Sequence, residues 1–387
     1  MRRILRENNL DLLREVRRMR EVLIGEEDRI PPEMETYYEW ALRTCKAFEE
    51  RIEQNLAYLD QPSDDILQNV HSRTQNQVRA FRLFDQLQVS PIIRANESDR
   101  LPLNLLQWLH RVHPKIQDLP VAVGDGSASI IVSSSGALIR EPVLYRLPSS
   151  IQRGLLYLPL LFHEVGHQLY QVHKPEMDAL VRELQRRIQS LLKPSVRRDD
   201  SEESKNEERR NAIVETWYEW AQEVFCDAMG LTIGGPAYLH AFSMFVRMHG
   251  KSQFHEDPEN LKGRDHPIGW IRIRLLAERA RRKVFTEEAE VLETDWSQVA
   301  SAHGVTENYY GYYDGDFRPG VQETVDYMLI EANPWEMALD EDLSSADLGD
   351  LAGKPAHLLN RAWHLFREHP EGYREWEERA IEAFLVE

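Results

Sequence analysis

Apolar residues recur at three- and four-residue spacing through the first part of the chain: Leu10, Leu13, Val16, Met19, Val22 and Leu23, then Tyr37, Trp40, Ala41, Cys45 and Phe48. Side chains at that spacing share one face of an α-helix, so each run predicts a helix with one buried stripe. Pro31-Pro32, Pro62-Ser63-Asp64-Asp65 and Asn96-Glu97-Ser98-Asp99 divide the region into about four helices, the last beginning near Leu103. Residues 1–115 read as a helical N-terminal module without a catalytic constellation.

The period changes at Leu119. Val121-Ala122-Val123, Ala128-Ser129-Ile130-Ile131-Val132 and Val143-Leu144-Tyr145-Arg146-Leu147 are short, rich in β-branched residues and separated by Gly or Pro, which predicts a small sheet. Gly124-Asp125-Gly126-Ser127 reads as a hairpin turn; its spacing fits neither glycine-rich phosphate fingerprint. Helical spacing returns around Leu158, Leu161 and Leu169, and again over residues 213–229, ending at Gly230, a residue suited to a C-cap. Residues 193–210, between these helices, have almost no apolar side chain and read as a mobile, solvated connector. Residues 116–290 form a second region. Residues 291–387 form a mainly helical third, with an aromatic loop at 309–317 and Leu359, Trp363, Phe366, Trp376, Ile381 and Phe384 on the inward face of its tail. The expected fold class is α+β, mostly helical.

Composition narrows the classes. With 42% hydrophobic and 29% charged residues the chain has ample material for a core. A net charge of −18 argues against nucleic acid as a partner, and the local run Arg14, Arg17, Arg18, Arg20 is interleaved with Glu15 and Glu21 as on a solvated helix face. The longest apolar run, residues 154–162, is too short to span a membrane, and the opening Met1-Arg2-Arg3-Ile4-Leu5-Arg6-Glu7 turns polar at once, so neither a span nor a secretory leader is expected. Only Cys45 and Cys226 occur, which predicts a reducing, cytoplasmic setting rather than a disulfide framework.

Within the apolar helix, His163-Glu164-Val165-Gly166-His167 places two imidazoles four residues apart. On a helix both lie on one face, able to hold one metal ion, while Glu164 lies about 100° round the axis, where it reaches a metal-bound water instead of the metal. The pattern reads as a zinc-dependent hydrolase; the plainer reading is a pair of core histidines satisfied by other partners.

A third ligand is needed, and there are two candidates. His173 stands ten residues after His163, but Tyr170 occupies the position where a glycine would have to break the helix to swing that histidine round. Glu223 is better placed. Glu215, Glu219, Glu223 and Asp227 recur every fourth residue between two apolar flanks, Ile213, Trp217, Val224, Ala228 and Val214, Tyr218, Phe225, Met229. Carboxylates on such a face need a cation, which a metal at Glu223, with Asp227 orienting a ligand histidine, provides. Cys226 reads as a small buried residue.

With its HExxH and ExxxD elements the chain resembles the gluzincin metallopeptidases. A further segment, His266-Pro267-Ile268-Gly269-Trp270-Ile271-Arg272-Ile273, is similar to the HPxxxxRI element of the HtpX/Ste24 family. The resemblance implies a zinc endopeptidase acting on protein or peptide substrates, with a zincin-like domain in which the small sheet packs on the HExxH helix. It also implies that His266 and Arg272 sit near the cleft and assist the developing oxyanion. Read without the resemblance, His266-Pro267 is a helix-opening turn and Arg272 a surface ion-pair partner. The expected activity is hydrolysis of peptide bonds by a zinc-bound water with Glu164 as general base. The alternatives are an aminopeptidase using Glu219 to capture an amine, and a catalytically idle zinc-containing scaffold protein.

Overall fold

The structure is a computed structural model that describes residues 1–61, 63, 65–85, 89–94, 99–116, 120–124, 131–133, 143–148, 151, 153–192, 200–247, 250–304, 309–338 and 348–386. Its contacts divide into two units, the first made of Met1–His110 and Gln117–Arg153, the second of Arg111–Ile116 and Gly154–Glu387. The described residues are mostly helical.

The first unit opens with helices α1 (Arg2–Gly25), α2 (Glu35–Leu59) and α3 (Leu67–Phe84), followed by α4 (Ser90–Arg94) and α5 (Arg100–Val112). The first three pack on one another. The buried stripe of α1 is Leu5, Asn9, Leu12, Leu13, Val16 and Leu23, whereas Leu10 and Val22, expected inward, are exposed. Asn9 holds a core position because its amide donates to Thr74 Oγ1 at 2.9 Å and Asn55 donates to Gln77 Oε1 at 2.8 Å and to Asn9 Oδ1 at 3.2 Å. A buried polar network with its partners in place fixes the register of three helices where an apolar seam would allow sliding. Such a network cannot be read from apolar spacing.

The same unit holds a three-stranded sheet of β1 (Pro120–Gly124), β2 (Ile131–Ser133) and β3 (Val143–Leu147) in the order β1-β3-β2. β1 runs parallel to β3 with Val121 opposite Leu144, and β2 runs antiparallel to β3 with Val132 opposite Tyr145. Among the described residues the expected hairpin between the first two strands is therefore not formed: β1 and β2 flank β3 instead of pairing. Pro120 heads an edge strand, where its missing N–H costs no ladder bond. Residues 125–130, with the expected Gly-Asp-Gly-Ser turn, lie outside the described residues.

The second unit comprises α6 (Leu160–Val172), α7 (Lys174–Leu191), α8 (Asp200–Gly234), α9 (Pro236–Arg247), α10 (Pro258–Leu261), α11 (Gly269–Arg282), α12 (Thr286–Ala302), α13 (Arg318–Ala332), α14 (Leu348–Ala352), α15 (Pro355–Glu368) and α16 (Pro370–Val386). α8 is its axis, a 35-residue helix packed by α6, α7, α11 and α13. Two expectations are corrected here. The polar stretch expected as a connector is helical from Asp200 onward, its Glu, Lys and Arg residues being good helix formers that extend a helix anchored further along. Residues 193–199 lie outside the described residues. And α8 does not cap at Gly230; it continues to Gly234, after which Gly235 adopts the left-handed φ of +56° that closes a helix. The core around α8 is aromatic, with Trp217, Trp220 and Trp296 fully buried and each indole N–H satisfied, by Tyr312 O, Arg264 O and Ser243 Oγ respectively. Tyr309, Tyr312 and Phe317 pack inward from the aromatic loop, and Leu359, Trp363 and Phe384 from the tail.

Candidate metal centre

The HExxH segment lies on α6, whose Leu161, Phe162, Val165 and Leu169 are buried and whose Gly166 lets α8 approach closely. A Cβ on Gly166 would stand 3.0 Å from Cys226 Cα and 3.1 Å from its sulfur, tighter than carbon contacts ordinarily reach. The two histidine rings sit with centroids 5.0 Å apart. Across from them, α8 turns its acidic stripe progressively inward: Glu215 and Glu219 are exposed, Glu223 is 5% exposed and Asp227 2%.

Glu223 is the meeting point. Its Oε2 lies 3.4 Å from His163 Nε2, and its Oε1 lies 3.5 Å from both His167 Nε2 and His266 Nε2. The other nitrogens of the first two rings are tied back. His163 Nδ1 lies 3.1 Å from Asp227 Oδ1, and His167 Nδ1 lies 3.0 Å from the side-chain amide of Gln222. As the side chains stand, Gln222 Nε2 faces His167 Nδ1 and donates to it; a half-turn of that amide would let its oxygen accept Nδ1–H, and with the second His163 proton displaced by a metal both histidines would carry their protons on Nδ1 and their lone pairs on Nε2. That tautomer points two imidazole donors and one carboxylate at a single place. Glu223 Oε2 is buried with His163 Nε2 and Arg272 Nη2 each 3.4 Å away and no closer partner, a shortfall in an interior that a bound cation would make up.

Charge supports the same reading. Burial pushes the Glu164 carboxyl up to about 7, even though His163 and Arg272 pull it down. Burial also works against ionisation of Glu223 and Asp227, but hydrogen bonding from His163 and the Arg272 charge outweigh it at Glu223, as Arg272 and His163 do at Asp227, holding both below the usual carboxylate range. Burial lowers His163, yet its hydrogen bonds to Asp227 and Glu223 raise it to about 10, whereas burial and the His163 charge drop His167 to about 4. The ionised Glu223 and Asp227 thus face the Arg272 guanidinium and a protonated His163, and a divalent cation would take the place of the His163 proton. Histidine, histidine and glutamate, with a further carboxylate alongside, are the donor set of a catalytic zinc site, and the residues fit the group.

Arg272, expected either at the oxyanion or on the surface, is not on the surface. It is buried on α11, donates Nε to Asp227 Oδ2 at 2.8 Å and Nη2 to Asp227 Oδ1 at 2.7 Å, and lies over the Phe242 ring at 4.6 Å. Both donors are committed to Asp227, with Glu223 Oε2 3.4 Å from Nη2. His266 is different: its side chain is 58% exposed and faces Glu223 from the open side. His173 lies apart from the centre, its Nδ1 3.1 Å from Glu331 and its Nε2 3.2 Å from Lys115 Nζ, which removes it as the third ligand in this geometry.

Cys226 requires comment, because ligand atoms of His163, His167 and Cys226 fall within 4.8 Å of one another. Its sulfur packs toward Gly166, and burial together with Glu223 and Asp227 pushes the thiol well above its ordinary range. A metal would itself take the proton from that thiol, so Cys226 and Glu223 both stand as third-ligand candidates, Glu223 through its distances to both Nε2 atoms. The sequence reading missed Gln222 and Tyr238, whose hydroxyl donates to Asp227 Oδ1 at 2.7 Å. A signal for the latter was present in Gly230 and Gly234, glycines one turn apart inside a helix, where a missing Cβ marks a close neighbour. Among the described residues no helix is long and apolar enough to cross a membrane. No protein-family model, curated protein or solved structure matches the chain, so the geometry of the centre itself carries the functional argument.

Proposed function

We propose that the chain is a zinc-dependent peptidase of gluzincin type. The observation that carries the reading is the convergence of His163 Nε2 and His167 Nε2 on the buried carboxylate of Glu223. His163, His167 and Glu223 would hold the ion. When bound, zinc supplies Lewis-acid chemistry, polarising a peptide carbonyl and acidifying water. Glu164, raised to about 7, is matched to taking a proton from the attacking water near neutral pH and returning it to the leaving amine. His266, exposed on the open side, is placed to donate to the oxyanion, while Arg272 holds Asp227 and so keeps His163 oriented.

The test is zinc per chain by elemental mass spectrometry together with hydrolysis of a peptide library. Wild type and Glu164→Gln retain near-stoichiometric zinc, Glu223→Ala loses it, and Glu164→Gln hydrolyses no peptide. Turnover by Glu164→Gln at the wild-type rate refutes the mechanism. The His163, His167 and Cys226 grouping favours a second reading, a structural zinc site in a catalytically idle scaffold. Loss of zinc in Cys226→Ser but not in Glu223→Ala would select it.

A further inference from the structure

Tyr238, on α9, is wholly buried, and its hydroxyl donates to Asp227 Oδ1 at 2.7 Å, the same oxygen that faces His163 Nδ1 at 3.1 Å. The hydroxyl itself lies 3.4 Å from that Nδ1. Among the described residues, its hydrogen bonds go only to these two groups of the centre.

The ring is delivered through a purpose-shaped slot. A Cβ on Gly230 would stand 2.5 Å from Tyr238 Cζ, and one on Gly234 would stand 3.2 Å from Tyr238 Cβ and 2.5 Å from Phe162 Cδ2. Real side chains at those positions would exclude the tyrosine, so α8 gives up helix propensity twice within one turn to admit it. Phe242 stacks on the ring at 5.7 Å between centroids and 19° between planes, and Arg272 lies over Phe242 in turn. The slot fixes the ring, and the ring fixes where its hydroxyl meets Asp227.

Arg272 already binds both oxygens of Asp227, which satisfies the carboxylate's charge and aligns it from the α11 side. Tyr238 supplies a contact from another direction. We infer that Tyr238 is a positioning residue of the metal centre: through Asp227 it holds His163 in the tautomer and rotation that present Nε2 to the ion. This rests on the zinc reading above, and it assigns a role to a residue outside all three sequence elements.

The experiment uses the full chain, stripped of metal by chelator, and measures zinc affinity by competition with a chromogenic chelator for wild type, Tyr238→Phe, Asp227→Asn and the double variant. Phenylalanine fills the same slot, so packing is retained. Tyr238→Phe is expected to raise the zinc dissociation constant about tenfold. Because the tyrosine acts through Asp227, the double variant should bind within about twofold of Asp227→Asn alone. Cobalt substitution gives a second readout, a changed visible absorption band in Tyr238→Phe reporting altered ligand geometry. Unchanged zinc affinity in Tyr238→Phe, with only its melting temperature lowered, reduces the hydroxyl to a structural role and overturns the inference; so do additive effects in the double variant. A wild-type chain that binds no zinc overturns the metal reading and this inference with it, an outcome distinct from a wild type that binds zinc and a Tyr238→Phe that binds it equally well.

Discussion

Asp227→Ala tests how much of the second unit's stability depends on the charged cluster behind the histidines. In the wild type Arg272, 8% exposed, directs Nε and Nη2 at Asp227 over 2.8 and 2.7 Å. Deleting the carboxylate leaves a guanidinium in the interior, with Glu223 Oε2, 3.4 Å from Nη2, as a remaining anion. Breaking a buried ion pair from one side costs about 3–5 kcal/mol, mostly from the stranded charge. Since Glu223 stays in reach of Arg272, the lower end applies, about 3 kcal/mol. For a unit of this size that corresponds to a melting temperature lower by roughly 6–12 °C. The assay is urea unfolding of the metal-free chain, read as a shift in midpoint at constant slope. Asp227→Ala/Arg272→Met, which removes both charges and keeps an apolar stem over Phe242, should recover most of the loss. A decrease below about 1 kcal/mol in the single variant, or a double variant at least as unstable as the single, would refute the reasoning.

Other consequences can be checked alongside. With its folded-state pKa raised from 6.5 to about 10, His163 stabilises the metal-free chain fully below 6.5, and that contribution is lost as pH rises through 10. Glu164, raised from 4.5 to about 7, acts in the same direction over its own lower window. Urea midpoints of the metal-free chain should therefore fall between pH 6.5 and 9, and a flat profile there contradicts the His163 assignment. Zinc and that proton compete for one ring nitrogen, so calorimetry at pH 7.5 in buffers of different ionisation enthalpy should show proton release on zinc binding. Gly166→Ala places a Cβ 3.0 Å from a backbone atom of α8, which must move the helices apart; zinc affinity should drop more than about tenfold while stability changes by no more than about 2 kcal/mol. Replacing Gln222 by Leu removes the partner of His167 Nδ1 and should weaken zinc binding by about 10–100-fold, with binding at the wild-type level disproving its orienting role.

The parts of the centre legible in the sequence are those set by helix arithmetic. His163 and His167 share a face because they are four apart, and the Glu215, Glu219, Glu223, Asp227 stripe is visible for the same reason. What joins the stripe to the histidines was not legible, because Tyr238, Gln222 and the true engagement of Arg272 depend on how α6, α8, α9 and α11 cross. Strand composition announced β1, β2 and β3, yet pairing order is a long-range property, and local alternation offered no reason to place β3 between the other two. The polar run after residue 193 misled for a physical reason. A helical extension made of polar residues has no apolar stripe, so hydrophobic periodicity is silent just where charged helix formers continue α8.

Gln222, Glu223, Asp227, Gly230 and Gly234 all belong to α8. Their mutual placement is governed by residue count along one rigid rod, each residue adding about 1.5 Å and 100°. A single inserted residue between Glu223 and Asp227 would keep every side chain yet rotate Asp227 and both glycines by about 100° away from His163 and Tyr238. One inserted before Asp200 would leave all of these relations intact. Along this helix, tolerance to changes in length, more than to changes in composition, is what divides the chemical segment from its polar N-terminal extension.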